Sequence, residues 1–159
     1  MSAVKIPTQI RYGTRALFYI AYHRGGASTQ VKEIAGKESI SQRYLEQIFQ
    51  RFKRSGLVGS HRGPQGGYFL LKRPNEIRIG DIVRAINGSD LYLVFCVDPK
   101  KRKGKDCERK SLCPVKDVWR ESSEMLMRYL DSITLEDLCR KALEIGIERK
   151  VEETLTYQI

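Results

Sequence analysis

No run of apolar residues in this 159-residue chain approaches the roughly 18 that a membrane-crossing helix requires. The N-terminal MSAVKIPTQIRYG has no apolar core of signal-peptide length, so a cytoplasmic protein with no membrane partner is expected. Histidine is scarce, with two residues, and no two of the four cysteines form a CxxC pair. Structural zinc knuckles and thioredoxin-type redox sites therefore lack their usual ligands. No nucleophile elbow or paired-acid motif accompanies the histidines, which argues against an enzyme and its small-molecule substrate. In a reducing compartment four cysteines do not make a disulfide scaffold, leaving metal binding, redox sensing or burial. Acids are also short: 19 Asp and Glu face 29 Lys and Arg, a formal charge of +10. That excess suits a polyanionic partner, either nucleic acid or an anionic surface. A hydrophobic content of 41% is enough for a packed core and excludes a disordered chain.

The periodic segments come first. Tyr12, Ala16, Tyr19 and Ile20 fall on one face of a helix over Arg11 to about His23, ended by Gly25-Gly26. A second short helix, with Val31, Ile34 and Ala35 on one face, is expected to be capped by Ser28 or Thr29. The third helix is the best specified. Ser41 can cap it, Ile40 and Leu45 hold the two positions of a hydrophobic staple, and Leu45, Ile48, Phe49 and Phe52 form a buried stripe. Gln42, Arg43, Glu46, Gln47, Gln50 and Arg54 occupy the opposite face, with the chemistry to bond base edges or phosphates in a major groove.

Leu57 to His61 reads as a strand, Gly63-Pro64-Gln65-Gly66-Gly67 as a turn, and Tyr68 to Leu71 as the return strand. Arg62 at the hairpin tip can reach a phosphate or enter a minor groove, with Gln65 beside it. From Gln42 to Arg73 there are seven Lys or Arg residues and one acid, Glu46. Ile79, Ile82, Val83 and Ile86 then predict a helix closed by Asn87-Gly88, which is expected to pack the wing onto the first helix.

Between Ser89 and Cys113 the periodicity stops, and Cys96, Cys107 and Cys113 follow one another as C-x10-C-x5-C beside a run of lysines and arginines. A thiolate is the species that binds soft metals or attacks oxidants, and the adjacent cations suit an anionic sulfur. The spacing leaves metal or iron-sulfur binding, a redox thiol switch and incidental placement all open. Cys139 lies in an apolar helical pattern and reads as core. Pro114 opens a long helix whose stripe of Val115, Val118, Trp119, Ser122, Met125, Leu126, Tyr129 and Ile133 exceeds what one chain can cover. A homodimer through this helix is expected. Thr134-Leu135-Glu136-Asp137 resembles a capping box and opens a final helix to about Gly146.

These blocks resemble the IscR/NsrR/CymR-type family of bacterial winged-helix regulators. The resemblance runs from about residue 8 to 145 through SISQRYLEQIFQRFKRSGLVGSHRGPQGGYFLLKRP, IGDIVRAING, the cysteine loop and CPVKDVWRE followed by ITLEDL. It implies a mostly α fold with a small β wing, a winged helix-turn-helix, plus a long C-terminal dimerisation helix. The division implied is a DNA-binding domain over 1–88, a cysteine-bearing sensor loop over 89–113, the dimerisation and final helices over 114–147, and a tail over 148–159.

The function implied is that of a homodimeric transcription regulator on a palindromic double-stranded DNA operator, controlled by an iron-sulfur cluster. A 2Fe-2S cluster is preferred to 4Fe-4S, with Cys96, Cys107 and Cys113 as ligands. DNA contacts fall to Ser41, Arg43, Glu46, Gln47, Arg54, Arg62 and Gln65, with Glu46 discriminating operator classes when the cluster is absent. This chain departs from the family at the fourth ligand. IscR-like members place a histidine where Lys116 stands, and NsrR-like members an acid where Arg11 stands. Asp117, Glu108, His23, a partner-chain residue and an exogenous thiol remain open for that role. The alternatives are a cluster-free, CymR-like repressor answering to thiol oxidation or a partner enzyme, a thiol or metalloenzyme, and a protein-docking winged domain.

Overall fold

The computed structural model describes residues 6–64, 66–100 and 113–149. In chain order these form α1 (Thr8–Arg24), α2 (Val31–Glu38), α3 (Gln42–Arg54), β1 (Val58–His61), β2 (Gly67–Leu70), α4 (Ile79–Asn87), α5 (Pro114–Ser132) and α6 (Leu135–Glu144). Single 3-10 turns lie at Pro74–Glu76 and Phe95–Val97. The mostly α class with a small two-stranded wing is thus the one observed.

Helix α1 is central because its inward face is unbroken: Ala16, Leu17, Ile20 and Ala21 are all buried. Gly13 on that face sits where a Cβ would come within 2.6 Å of Ile86 Cδ1 and 2.7 Å of Phe52 Cζ. A residue without a side chain lets α1 close on α3 and α4 together. The expected stripe of α3 is the one found, with Leu45, Ile48, Phe49 and Phe52 all buried. Each of those four contributes about 1.5–3 kcal/mol by leaving water.

Two caps differ from expectation. Helix α2 starts at Val31 behind Gln30, and neither Ser28 nor Thr29 caps it. Thr29 instead pairs with the wing, its N–H donating to the Tyr68 carbonyl at 2.9 Å and its carbonyl accepting from the Tyr68 N–H at 2.9 Å. Ser41 is the N-cap residue of α3, but its hydroxyl makes no capping bond. The staple residues Ile40 and Leu45 are both buried, so packing fixes this entry.

The wing is an antiparallel pair in the register Val58↔Leu70, Gly59↔Phe69, Ser60↔Tyr68 and His61↔Gly67. The Thr29 bridge adds a third backbone to it. At Gly67 a Cβ would lie 2.3 Å from the Thr29 carbonyl oxygen, so this glycine admits the close approach. Tyr68 then stacks on Phe49 of α3, with ring centroids 4.5 Å apart. The wing therefore leans on α1 and α3. Helix α4, expected to pack the wing onto α1, lies instead against α1, α3 and α5.

The C-terminal helices are attached by backbone and by charge. The Ile79 N–H donates to the Ile133 carbonyl and the Leu135 N–H to the Ile77 carbonyl, both at 2.9 Å. Arg84 of α4 forks onto Asp131 of α5 at 2.8 and 2.6 Å and reaches Asp90 at 2.7 Å. The expected capping box is present: the Thr134 Oγ1 accepts from the Asp137 N–H, and the Asp137 carboxylate accepts from the Thr134 N–H.

Those bonds from Thr134, with Arg140 nearby, hold the Asp137 carboxyl below its ordinary range. A carboxyl with a lowered folded-state pKa stabilises the fold above its unfolded pKa and loses that contribution as pH falls through the folded one. Thr134→Val is expected to lower the urea midpoint at pH 7 and to shrink the further loss on acidification from about pH 5 to 3. Urea titrations of both proteins at the two pH values check this.

Candidate nucleic-acid interface and thiol segment

The outward face of α3 is built by elimination. With the apolar stripe buried, Gln42, Arg43, Glu46, Gln47, Gln50 and Arg54 fall within an arc of about 140° at 100° per residue, and all are exposed. Ser41 is exposed at the start of this face, and its hydroxyl is not spent on the cap. Gln42 donates to Glu46 at 2.9 Å, and Arg54 Nε donates to the Gln50 carbonyl at 3.3 Å. Arg43 and Gln47 point into solvent between them.

Glu46 is also felt by the wing. The Tyr68 hydroxyl is pushed above its ordinary range, first by burial and then by the negative charge of Glu46. Arg62 is exposed at the hairpin tip, where Gln30, the N-cap residue of α2, donates to the Pro64 carbonyl at 2.7 Å and holds the turn. Gln65 lies outside the described residues. Helix α3 and the wing are thus joined by the Phe49–Tyr68 stack, and the wing is tied to the segment before α2 by the Thr29 bridge. Sequence reading did not find these joints. The alternating run of β2 signals a strand but not the residue across from it.

The thiol segment is anchored at both ends to α5. Before Cys96, the Leu93 N–H donates to the buried Ser123 hydroxyl at 3.1 Å, and the Leu91 N–H to the Met127 sulfur at 3.4 Å. Ser123 closes the network by donating to the Trp119 carbonyl at 2.7 Å. Cys96 sits in the 3-10 turn that packs on α5, and Cys113 is the N-cap residue of α5 itself. Both are free thiols and half-buried. Cys107 lies outside the described residues. Cys139 is in the core as expected, where burial pushes its thiol up and away from thiolate chemistry.

The residues left open for a fourth ligand lie apart from one another. Asp117 pairs with Arg120 at 2.8 Å in the first turns of α5. His23 packs among the rings of Phe18, Tyr19 and Tyr22 at the end of α1. Lys116 follows Cys113 on α5, Arg11 is exposed on α1, and Glu108 is outside the described residues. Among the described residues no group of three His, Cys, Asp or Glu side chains is placed to hold a metal ion.

The apolar stripe expected along α5 faces mostly outward, and the inward face of the helix is made largely by residues outside that stripe. Ser123 and Met127 face inward and Ile133 packs on the core, whereas Val118, Met125 and Tyr129 are 56%, 63% and 63% exposed. Val115 and Trp119 extend this outer strip toward Cys113. No helix among the described residues is long and apolar enough to cross a membrane.

The profile of the Rrf2 family, described as an iron-dependent transcriptional regulator, matches residues 6–141. IscR of Pectobacterium atrosepticum is 33% identical over 136 residues, which are 85% of this chain and 79% of that protein. The solved structure of T. potens IscR is similar at a TM-score of 0.70 and 32% identity, over 91% of this chain and 93% of that one. CymR, the global cysteine regulator of B. subtilis, is similar at a TM-score of 0.68 and 33% identity, over 86% and 97%. An α3 face stocked with Arg, Gln and Glu, a basic wing and these relatives give one conclusion: the chain belongs to the Rrf2 family of winged-helix, DNA-binding transcriptional regulators, whose members are not enzymes.

Proposed function

We propose that this regulator is a homodimer that grips a palindromic operator with two headpieces, residues 1–88, and that ligation of the thiols in residues 89–113 sets its operator affinity. One observation carries the reading: Cys96, in the turn packed on α5, and Cys113, the N-cap residue of α5, are both tied to the helix that leaves an apolar strip uncovered. A strip of Val118, Met125 and Tyr129 gains about 25 cal/mol for each Å² removed from water, and a second copy of the same strip is its self-complementary cover.

In the headpiece, Arg43, Glu46 and Gln47 take base edges, with Ser41 on the flanking phosphate. Arg54 and Arg62 neutralise phosphates at the far end of α3 and at the wing tip, and Gln65 adds a further DNA contact. Glu46 accepts from cytosine or repels a phosphate, so it selects sequence more than it adds affinity.

Cys96, Cys107 and Cys113 would hold an iron-sulfur cluster, 2Fe-2S in preference to 4Fe-4S. The donor set fits: two half-buried free thiols fixed to one helix and a third between them in sequence are soft ligands of the required kind. Such a cluster supplies an iron- and redox-sensitive link among three sulfurs. Anchored by Ser123 and Met127, the segment transmits its state to α5 and thence to the spacing of the two recognition helices. A second reading, a cluster-free repressor in the manner of CymR answering to thiol oxidation or a partner enzyme, is favoured by Lys116 and Arg11 standing at the fourth-ligand positions.

Anaerobically isolated protein is expected to be coloured, to contain iron and sulfide, and to bleach on Cys107→Ala; colourless wild-type protein with full operator affinity would leave the cluster-free reading. Glu46→Ala is expected to change operator preference by about tenfold at one base position while changing affinity for random duplex less than twofold. Selection from a random duplex pool measures both. Met125→Glu with Tyr129→Glu is expected to shift the protein to a monomer at micromolar concentration in sedimentation equilibrium, with helical circular dichroism retained.

A further inference from the structure

We propose that Arg51 is a positioning residue for operator recognition, acting through the last turn of α4 and coupled there to Lys100 of the thiol segment. The proposal rests on the regulator reading above. Arg51 belongs to the recognition helix but not to its outward face. It is half-buried, and its guanidinium donates to the Ile86 carbonyl in the last turn of α4. The terminal carbonyls of a helix lack amide partners and carry partial negative charge, so a cation there is favoured.

A second cation grips the same turn. Lys100, four residues beyond Cys96, donates its ammonium to the carbonyl of Gly88, the residue that ends α4. From within the turn, Arg84 reaches outward to Asp131 of α5 and to Asp90, at the start of the thiol segment. One helix end is thus held by the recognition helix, by the thiol segment and by the helix with the uncovered apolar strip. Arg51, Arg54 and Arg84 line a common recess of about 490 Å³ with Asn87 and Gly88, so these grips are neighbours.

The coupling follows from this sharing. Arg51 and Lys100 satisfy carbonyls two residues apart at one helix end, Ile86 and Gly88, and withdrawal of Lys100 lets that turn move, changing the anchor to which Arg51 is tied. Phe52, the next residue, is locked against Gly13. Arg51 therefore decides the roll of α3 about a fixed core contact, and with it the aim of Arg43, Glu46 and Gln47.

The test uses the full chain and the variants Arg51→Gln, Arg51→Lys, Lys100→Ala and the Arg51→Gln/Lys100→Ala double, binding an operator duplex selected by the wild type. Arg51→Gln is expected to weaken operator binding about fivefold, and Arg51→Lys to recover most of that loss. The slope of log affinity against log salt is expected to stay unchanged. A slope smaller by about one would mean that Arg51 holds a phosphate directly, and would overturn the proposal. Loss in the double variant is expected to be less than the product of the single losses; independent, multiplicative losses overturn the coupling.

Hydrogen exchange on DNA-free protein separates this proposal from the reading it rests on. Lys100→Ala is expected to speed exchange of the last-turn amides of α3 by about fivefold, and unaltered exchange there overturns the coupling whatever DNA binding shows. A wild type that binds every duplex equally would refute the regulator reading, while the exchange result still decides the coupling.

Discussion

The closure of α1 on α3 and α4 around Gly13 is the constraint on which the rest of the molecule depends. With Phe52 and Ile86 both seated against a position that has no side chain, the apolar stripe of α3 has one place to go. Its polar face is then outward by geometry. The same contact brings the end of α4 beside Arg51, so the element that aims the recognition helix and the element that carries the thiol segment meet at a single turn. Packing here costs little in polar burial. Among the described residues Ser28 Oγ is the only buried side-chain oxygen or nitrogen without a partner.

The molecule divides its interactions by strength. The headpiece rests on apolar burial and backbone pairing, with the wing held by the Thr29 bridge and the Phe49–Tyr68 stack. The attachment of α5 is more polar: the Arg84–Asp131 fork, the Ser123 hydroxyl and two backbone bonds at the entry to α4 and α6. Such a joint is suited to movement between two arrangements, because hydrogen bonds exchange with water more easily than a packed stripe opens. The sensing proposed for the thiol segment would use this asymmetry.

Much of this was legible in residue spacing. Leu45, Ile48, Phe49 and Phe52 specify both the buried side of α3 and, by subtraction, the exposed one. Thr134 and Asp137 announce the start of α6 at the three-residue separation a capping box requires. What escaped is non-local. Thr29 is of a residue type that caps helices and serves as a strand partner, because Tyr68, 39 residues further along the chain, is brought beside it by the fold. Nor does spacing divide α5 into two stripes: Ser123, a small polar residue, is buried where it can hold the backbone of Leu93, and Met125, a large apolar one, is left outside. The Arg84–Asp131 fork is likewise invisible until α4 and α5 are side by side. Cys96 and Cys113 are found in the chain by type, and their common attachment to α5 emerges only from the fold.

The decisive measurement is hydroxyl-radical footprinting of the purified full chain on a duplex selected from a random pool. Two protected half-sites in inverted repeat, with centres about one or two helical turns apart, are expected from paired α3 faces and wings held by α5. Protection of one isolated half-site, or of no defined site at all, would contradict it.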